Sequence, residues 1–170
     1  MTNPLDAHLQ TFRTAKDAIK VARRVLDDRK NPISNTSFYN LTPREVHELL
    51  DDAEARIEEL LAFALFAAFE RLLRDHLSTS LGPVKGSSTK PGELANNLHR
   101  FLADGVDNWR IDRVIDLFQP PVTDPDIGNA KHVRTYRHHV AHGAAPPTAI
   151  PPQTVYTQLT GFLKAAEIVE

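Results

Sequence analysis

Thr42-Pro43-Arg44-Glu45-Val46-His47-Glu48-Leu49-Leu50 opens the stretch whose reading decides the fold. A helix N-terminus lacks intrahelical acceptors for its first amide groups. A threonine at the N-cap with a glutamate three residues later satisfies two of them reciprocally. Pro43 at the first helical position loses nothing, because its missing N–H has no partner there anyway. From this start the spacing predicts one long helix to about Leu77, with the uninterrupted apolar run Leu60 to Phe69 in its second half. Phe63, Phe66 and Phe69 fall at helical intervals and are read as core.

Helical spacing continues on both sides. Leu9, Phe12, Ala15, Ile19, Ala22 and Leu26 recur at three- and four-residue intervals and predict a helix over Leu5–Asp28, which the polar stretch Asn31 to Asn40 ends. Ser78 to Gly92 is rich in Gly, Pro, Ser and Thr and reads as a loop, followed by a short helix over Glu93–Ala103 and a break at Gly105. Asn108–Phe118 reads as another helix, with Trp109, Ile111, Val114, Ile115 and Phe118 as its buried residues and Pro120 and Pro121 as its stop. Asp124-Pro125-Asp126 looks like a fresh cap and first turn. The helix it opens runs to about His142, faces the core with Val133, Tyr136 and Val140, and stops at Gly143. After a loop holding Pro146, Pro147, Pro151 and Pro152, a last helix covers Gln153–Ile168. The expected architecture is all-α: a single domain over residues 1–170, built as an antiparallel bundle of about six helices.

Composition narrows the chemistry. Met1 is followed by a polar segment without an apolar h-region, and Leu60–Phe69 is too short to span a bilayer, so neither secretion nor membrane insertion is expected. The chain has no cysteine, which excludes disulfides, thiolate nucleophiles and cysteine-bound zinc and is compatible with a cytoplasmic location. A net charge of -2 argues against nonspecific coating of nucleic acid, which needs a broad basic surface. The average hides a local asymmetry. Glu45, Glu48, Asp51, Asp52, Glu54, Glu58 and Glu59 crowd one stretch and read as the wet face of a helix, whereas Lys131 to His142 carries bases and histidines and no acid.

That second segment reads His132-Val133-Arg134-Thr135-Tyr136-Arg137-His138-His139-Val140-Ala141-His142-Gly143 and holds half of the histidines in the chain. At about 100° per residue, Arg134, His138 and His142 lie along one stripe, with Arg137 nearer the apolar side. Imidazole moves protons at neutral pH and guanidinium holds phosphate through paired hydrogen bonds, so the combination suits phosphoryl-transfer chemistry without a metal. Neighbouring positive charge should lower the histidine pKa and favour the neutral base. The competing structural reading is a basic helix end that complements its own dipole.

Arg137, four intervening residues, then His142 and Gly143, late in an all-α chain, resemble the Arg-x(4-6)-His motif of the HEPN superfamily. The string Tyr136-Arg137-His138-His139-Val140-Ala141-His142-Gly143 is similar to the form seen in its bacterial members. Phe66-Ala67-Ala68-Phe69-Glu70-Arg71-Leu72-Leu73 resembles the earlier family helix that carries an acidic residue facing the site. The resemblance implies a metal-independent endoribonuclease, active as a homodimer whose two motif helices line a composite cleft, with no cofactor and RNA as the substrate. It implies His142 as general acid or base on a ribose 2′-hydroxyl, Arg137 as the stabiliser of charge on the scissile phosphate, and Glu70 as the residue orienting one of them. Lys131, Arg134, His138 and His139 join as RNA- and phosphate-binding residues. It further implies a role as the toxin of a toxin–antitoxin or phage-defence pair, with an antitoxin or nucleotidyltransferase partner. His138 departs from the asparagine or other polar residue common after the arginine.

Within one straight helix Arg137 and His142 stand about 140° apart and roughly 7.5 Å apart along the axis, so the spacing favours a site completed by a second subunit. Three other readings stand beside this one. A module of the same fold binds RNA or a nucleotide without cutting it. A metal site uses the workable ligand spacings of His138, His139 and His142, although no HExxH pattern or third carboxylate accompanies them. A purely structural bundle binds a partner protein. Gly82 to Ser88 lacks the Gly-Lys-Ser/Thr order of a phosphate loop, and His8, His47, His76 and His99 are read as surface or packing residues.

Overall fold

The computed structural model describes residues 3–27, 36–80, 100, 102, 105, 106, 108–144 and 148–170. Among them are five principal helices and no strand: α1 (Leu5–Asp27), α2 (Pro43–Ser80), α3 (Ile111–Asp116), α4 (Asp124–Ala141) and α5 (Pro152–Ala165). That is one fewer than the expected six; most of the helix anticipated over Glu93–Ala103 lies outside the described residues, as do the Gly82–Ser88 segment and His99. No described helix is long and apolar enough to cross a membrane.

α2 starts where the capping box places it. The Thr42 amide donates to Glu45 Oε2 at 2.7 Å and the Glu45 amide donates to Thr42 Oγ1 at 3.3 Å. The Thr42 hydroxyl also donates to Glu45 Oε2 at 2.7 Å, and this bond first, then the one from the Thr42 amide, holds the Glu45 carboxyl below the usual carboxylate range. The helix runs to Ser80, slightly beyond Leu77, taking the first residues of the anticipated loop into its last turn.

α1 lies antiparallel to the first half of α2. Ile19, Val46 and Leu50 form a small buried cluster between them. The acidic stretch is more than a wet face, because three of its carboxylates bind the bases of α1. Lys16 Nζ reaches Glu54 at 2.8 Å and Glu58 at 2.7 Å, and Arg23 reaches Asp51 at 2.5 Å and Glu54 at 2.9 Å. Lys16 and Glu54 are only 27% and 23% exposed, so water screens this seam less than it screens an open surface pair.

The main core lies where the second half of α2 meets α3, α4, α5 and the start of α1, which contributes Leu5 and Leu9. Phe69 and Phe162 meet edge to face at 5.2 Å, Phe118 closes on Phe162 at 5.6 Å, and Leu65, Phe66, Leu73, Val114, Ile115, Val133 and Leu159 fill the space around them. α5 is joined to α1 by Tyr156 to Asp6 at 2.6 Å and Asn3 to Thr160 at 3.1 Å. α3 is shorter than the anticipated Asn108–Phe118. Val114, Ile115 and Phe118 are buried as expected, whereas Trp109 and Ile111 are half-buried at the rim.

Gly105 is helical and does not break the chain there. A β-carbon on it would sit 2.8 Å from the Trp109 indole nitrogen, so the glycine admits the close approach of that ring. Arg74 fixes the same corner from α2, pairing with Glu70 at 2.7 Å and donating to the backbone carbonyls of Val106 and of Trp109, the latter at 3.0 Å.

Phe162→Ala is expected to cost about 3–5 kcal/mol in urea unfolding, since it empties the centre of the aromatic cluster; a loss below 1 kcal/mol contradicts this packing. Glu54 and Glu45 both have lowered pKa values, so the stability they supply is present above about pH 4.5 and is lost as pH falls through their folded values. Glu54 owes its shift first to the hydrogen bond from Lys16, opposed by partial burial, with Arg23 adding to it. Glu54→Gln should therefore flatten part of the decline in urea midpoint between pH 5 and 3, whereas an unchanged acid limb speaks against the seam.

Candidate functional site

α4 carries every sequence-predicted site residue except Glu70 and His142, and His142 is its C-cap. The N-cap is Thr123, one residue before the expected Asp124. Its hydroxyl donates to Asp126 at 2.7 Å, while Gln119 donates to Asp124 at 2.7 Å. At the far end the amides of Gly143 and Ala144 donate to the carbonyls of Val140 at 3.2 Å and His139 at 3.0 Å, a Schellman closure that requires the left-handed conformation Gly143 adopts at φ 65°. Val133 and Tyr136 face the core as expected, and Val140 is half-buried. Burial, with Glu59 and Glu58 adding, raises the Tyr136 pKa.

The three bases of α4 have different surroundings. Lys131 pairs with Asp116 at 2.5 Å and Arg134 with Asp112 at 3.5 Å, so two of the anticipated phosphate-binding residues are drawn onto α3. Arg137 turns to the other side. Its guanidinium carbon lies 4.3 Å from the centroid of the Phe63 ring on α2, and its buried Nε has no hydrogen-bond partner. Arg137 makes no ion pair among the described residues.

Beside Arg137 a cleft of about 330 Å³ is lined by Arg56, Glu59, Leu60, Phe63, Val140 and Ala141. Leu60 is 66% exposed at its edge. Arg56 and Glu59 pair with each other at 2.9 Å.

The histidines gather on the opposite side of the helix. His138 and His142 pack edge to face with centroids 4.4 Å apart, and His139 lies 6.1 Å from His138. His139 Nδ1 is 2.8 Å from the Thr135 carbonyl, which only accepts, so Nδ1 carries the proton and a neutral ring keeps its lone pair on Nε2. The lowered pKa anticipated for this helix is found at His138. Loss of water around the ring is the main cause, followed by the charges of His142, Arg134, His139 and Arg137.

Within one chain the structure thus brings His138 and His142 together but leaves Arg137 on the face toward α2. Glu70 is hydrogen-bonded to Arg74, which holds the Val106–Trp109 corner, and no hydrogen bond joins Glu70 to Arg137 or His142 among the described residues. No three His, Cys, Asp or Glu side chains form a metal cage among the described residues.

Helical spacing groups Phe63 with Phe66 and Phe69 as core, yet it is half-exposed and carries the Arg137 guanidinium. The available signal was the unbroken apolar run Leu60–Phe69, which covers every face of a helix and leaves apolar side chains outside any single core.

Gly143→Ala should destabilise the chain by about 1–2 kcal/mol and speed amide exchange at Gly143-neighbouring Ala144, because a side chain at positive φ is strained. Glu167 closes α5 at φ 57° in the same way, so Glu167→Gly should shift the unfolding midpoint upward. Opposite signs support the two closures; equal signs refute them. Comparison with protein-family models, curated proteins and solved structures finds no match for the chain.

Proposed function

We propose that the chain is a metal-independent endoribonuclease whose site is composed from two copies, with Arg137 of one copy and His142 of the other acting on one phosphodiester. The observation that carries this reading is the state of Arg137. Among the described residues it is the one lysine or arginine of α4 without a carboxylate partner, and it is held half-buried against an aromatic ring. A guanidinium in that position has lost solvation without gaining a counter-ion, so a phosphate that enters the cleft is bound strongly and bidentately. The carboxylates of α3 occupy Lys131 and Arg134, which concentrates anion attraction at Arg137.

His142 supplies the proton chemistry. Its imidazole takes the proton of a ribose 2′-hydroxyl, the oxygen attacks the adjacent phosphorus, and the bond to the 5′-oxygen breaks as that oxygen takes a proton from water, His142 then returning its proton to solvent. The products are a 2′,3′-cyclic phosphate and a 5′-hydroxyl. Arg137 stabilises the charge that builds on the phosphoryl oxygens during the displacement.

A second copy is needed because Arg137 and His142 leave α4 on different sides. The exposed Leu60 and the half-buried Phe63 beside Arg137 offer apolar surface on which that copy can pack. The alternative of the same fold, an RNA-binding module without cleavage, is favoured by the engagement of Glu70 with Arg74, with no carboxylate bonded to His142 or Arg137 among the described residues.

The test is incubation of the untagged chain with single-stranded RNA in excess EDTA. Cleavage giving 2′,3′-cyclic phosphate ends is expected, with losses of about 10²–10⁴-fold in His142→Ala and about 10²–10³-fold in Arg137→Ala. RNA bound but never cut identifies the binding module, and cleavage undiminished by His142→Ala removes the catalytic assignment.

A further inference from the structure

His138 and His142 project from the last turn of α4 with both side chains exposed and ring centroids 4.4 Å apart. Unlike His139, whose Nδ1–H is committed to the Thr135 carbonyl, neither ring makes a hydrogen bond to protein among the described residues, so both keep nitrogen lone pairs for an external group. Metal–nitrogen bonds of about 2.1 Å at a near-tetrahedral angle set the centroids of two ligating imidazoles about 5 Å apart. The observed rings meet edge to face at 62°, so chelation requires the side chains to rotate until one nitrogen of each faces a common point, which their exposure allows.

The surrounding charge is less hostile to a cation than the sequence suggests. Arg134 is paired with Asp112 at 3.5 Å, and Arg137 is turned away onto Phe63. The rings also stand at the C-terminal end of an 18-residue helix, where the backbone dipole is negative and favours positive charge.

We propose that His138 and His142 form a two-histidine chelate for a divalent d-block cation of the Ni²⁺, Cu²⁺ or Zn²⁺ class, with water in the remaining coordination positions. Imidazole suits these ions, whereas Mg²⁺ and Ca²⁺ demand oxygen donors that the pair lacks. With no third protein ligand among the described residues, the metal exchanges freely and is no part of the fold. Bound metal takes the His142 lone pair, so it inhibits RNA cleavage; this consequence rests on the function proposed above, whereas the chelate itself does not.

Calorimetric titration of Ni²⁺ into the untagged, EDTA-stripped and desalted chain tests the site. One Ni²⁺ per chain is expected, no heat with Mg²⁺, at least about tenfold weaker binding in His138→Ala and in His142→Ala, and wild-type binding in His132→Ala, which alters an exposed histidine elsewhere on α4. Circular dichroism checks that each variant is folded. Absence of saturable binding, or binding that survives the double substitution of His138 and His142, overturns the chelate. In the RNA assay Ni²⁺ should stop an active wild type and EDTA should restore it; an active enzyme unmoved by saturating Ni²⁺ overturns the inhibitory step. A chain that binds Ni²⁺ as described but never cleaves RNA removes the nuclease reading and leaves the chelate standing.

Discussion

The length of α2 is the constraint on which the rest of the structure depends. Its 38 residues extend about 57 Å, longer than the roughly 40 Å diameter of a compact chain of this size. No single core can cover such a helix, and two separate arrangements do so. The first half is covered by α1 through a small apolar cluster and a seam of ion pairs, the second by α3, α4 and α5 through the aromatic core, to which the start of α1 adds Leu5 and Leu9. Near the middle the cover is incomplete, and the exposed Leu60 and the Phe63 ring mark the place.

α4 reaches α2 at that gap, and its charges divide there. Two of its bases pair with carboxylates of α3, which ties the helix to its neighbour. Arg137 makes no ion pair among the described residues because it lies on the Phe63 ring, while Glu59 of the same cleft is paired with Arg56. The histidines occupy the other side, with the helix closed beneath them by Gly143. A cation prepared for an anion and a group of titratable rings thus sit a short distance apart on one helix without converging. The proposed composite site follows from that separation.

Much of the fold was legible because its signals are local. The Thr42/Glu45 box, Pro43 and Gly143 each satisfy or relax specific backbone groups, and the structure uses all three as their chemistry requires. What was not legible depends on partners distant in sequence. The acids of α2 look solvated until Lys16 and Arg23 are laid beside them, and nothing local to Lys131 and Arg134 announces their pairing with Asp116 and Asp112. Gly105 reads as a helix breaker until the Trp109 ring is seen against it. Glu70 faces Arg74 one turn away on its own helix, an i, i+4 pair that the sequence did contain and that competes with any role in a site.

The central claim is that one phosphodiester is attacked by groups from two copies, and subunit mixing tests it most directly. Arg137→Ala and His142→Ala are each purified, shown to be inactive alone, then combined in equal amounts under conditions that exchange subunits. If the site is shared, each mixed pair regains one complete site and the mixture recovers about a quarter of wild-type activity. If Arg137 and His142 act within one copy, every site keeps one defect and the mixture stays as inactive as its components, which contradicts the account.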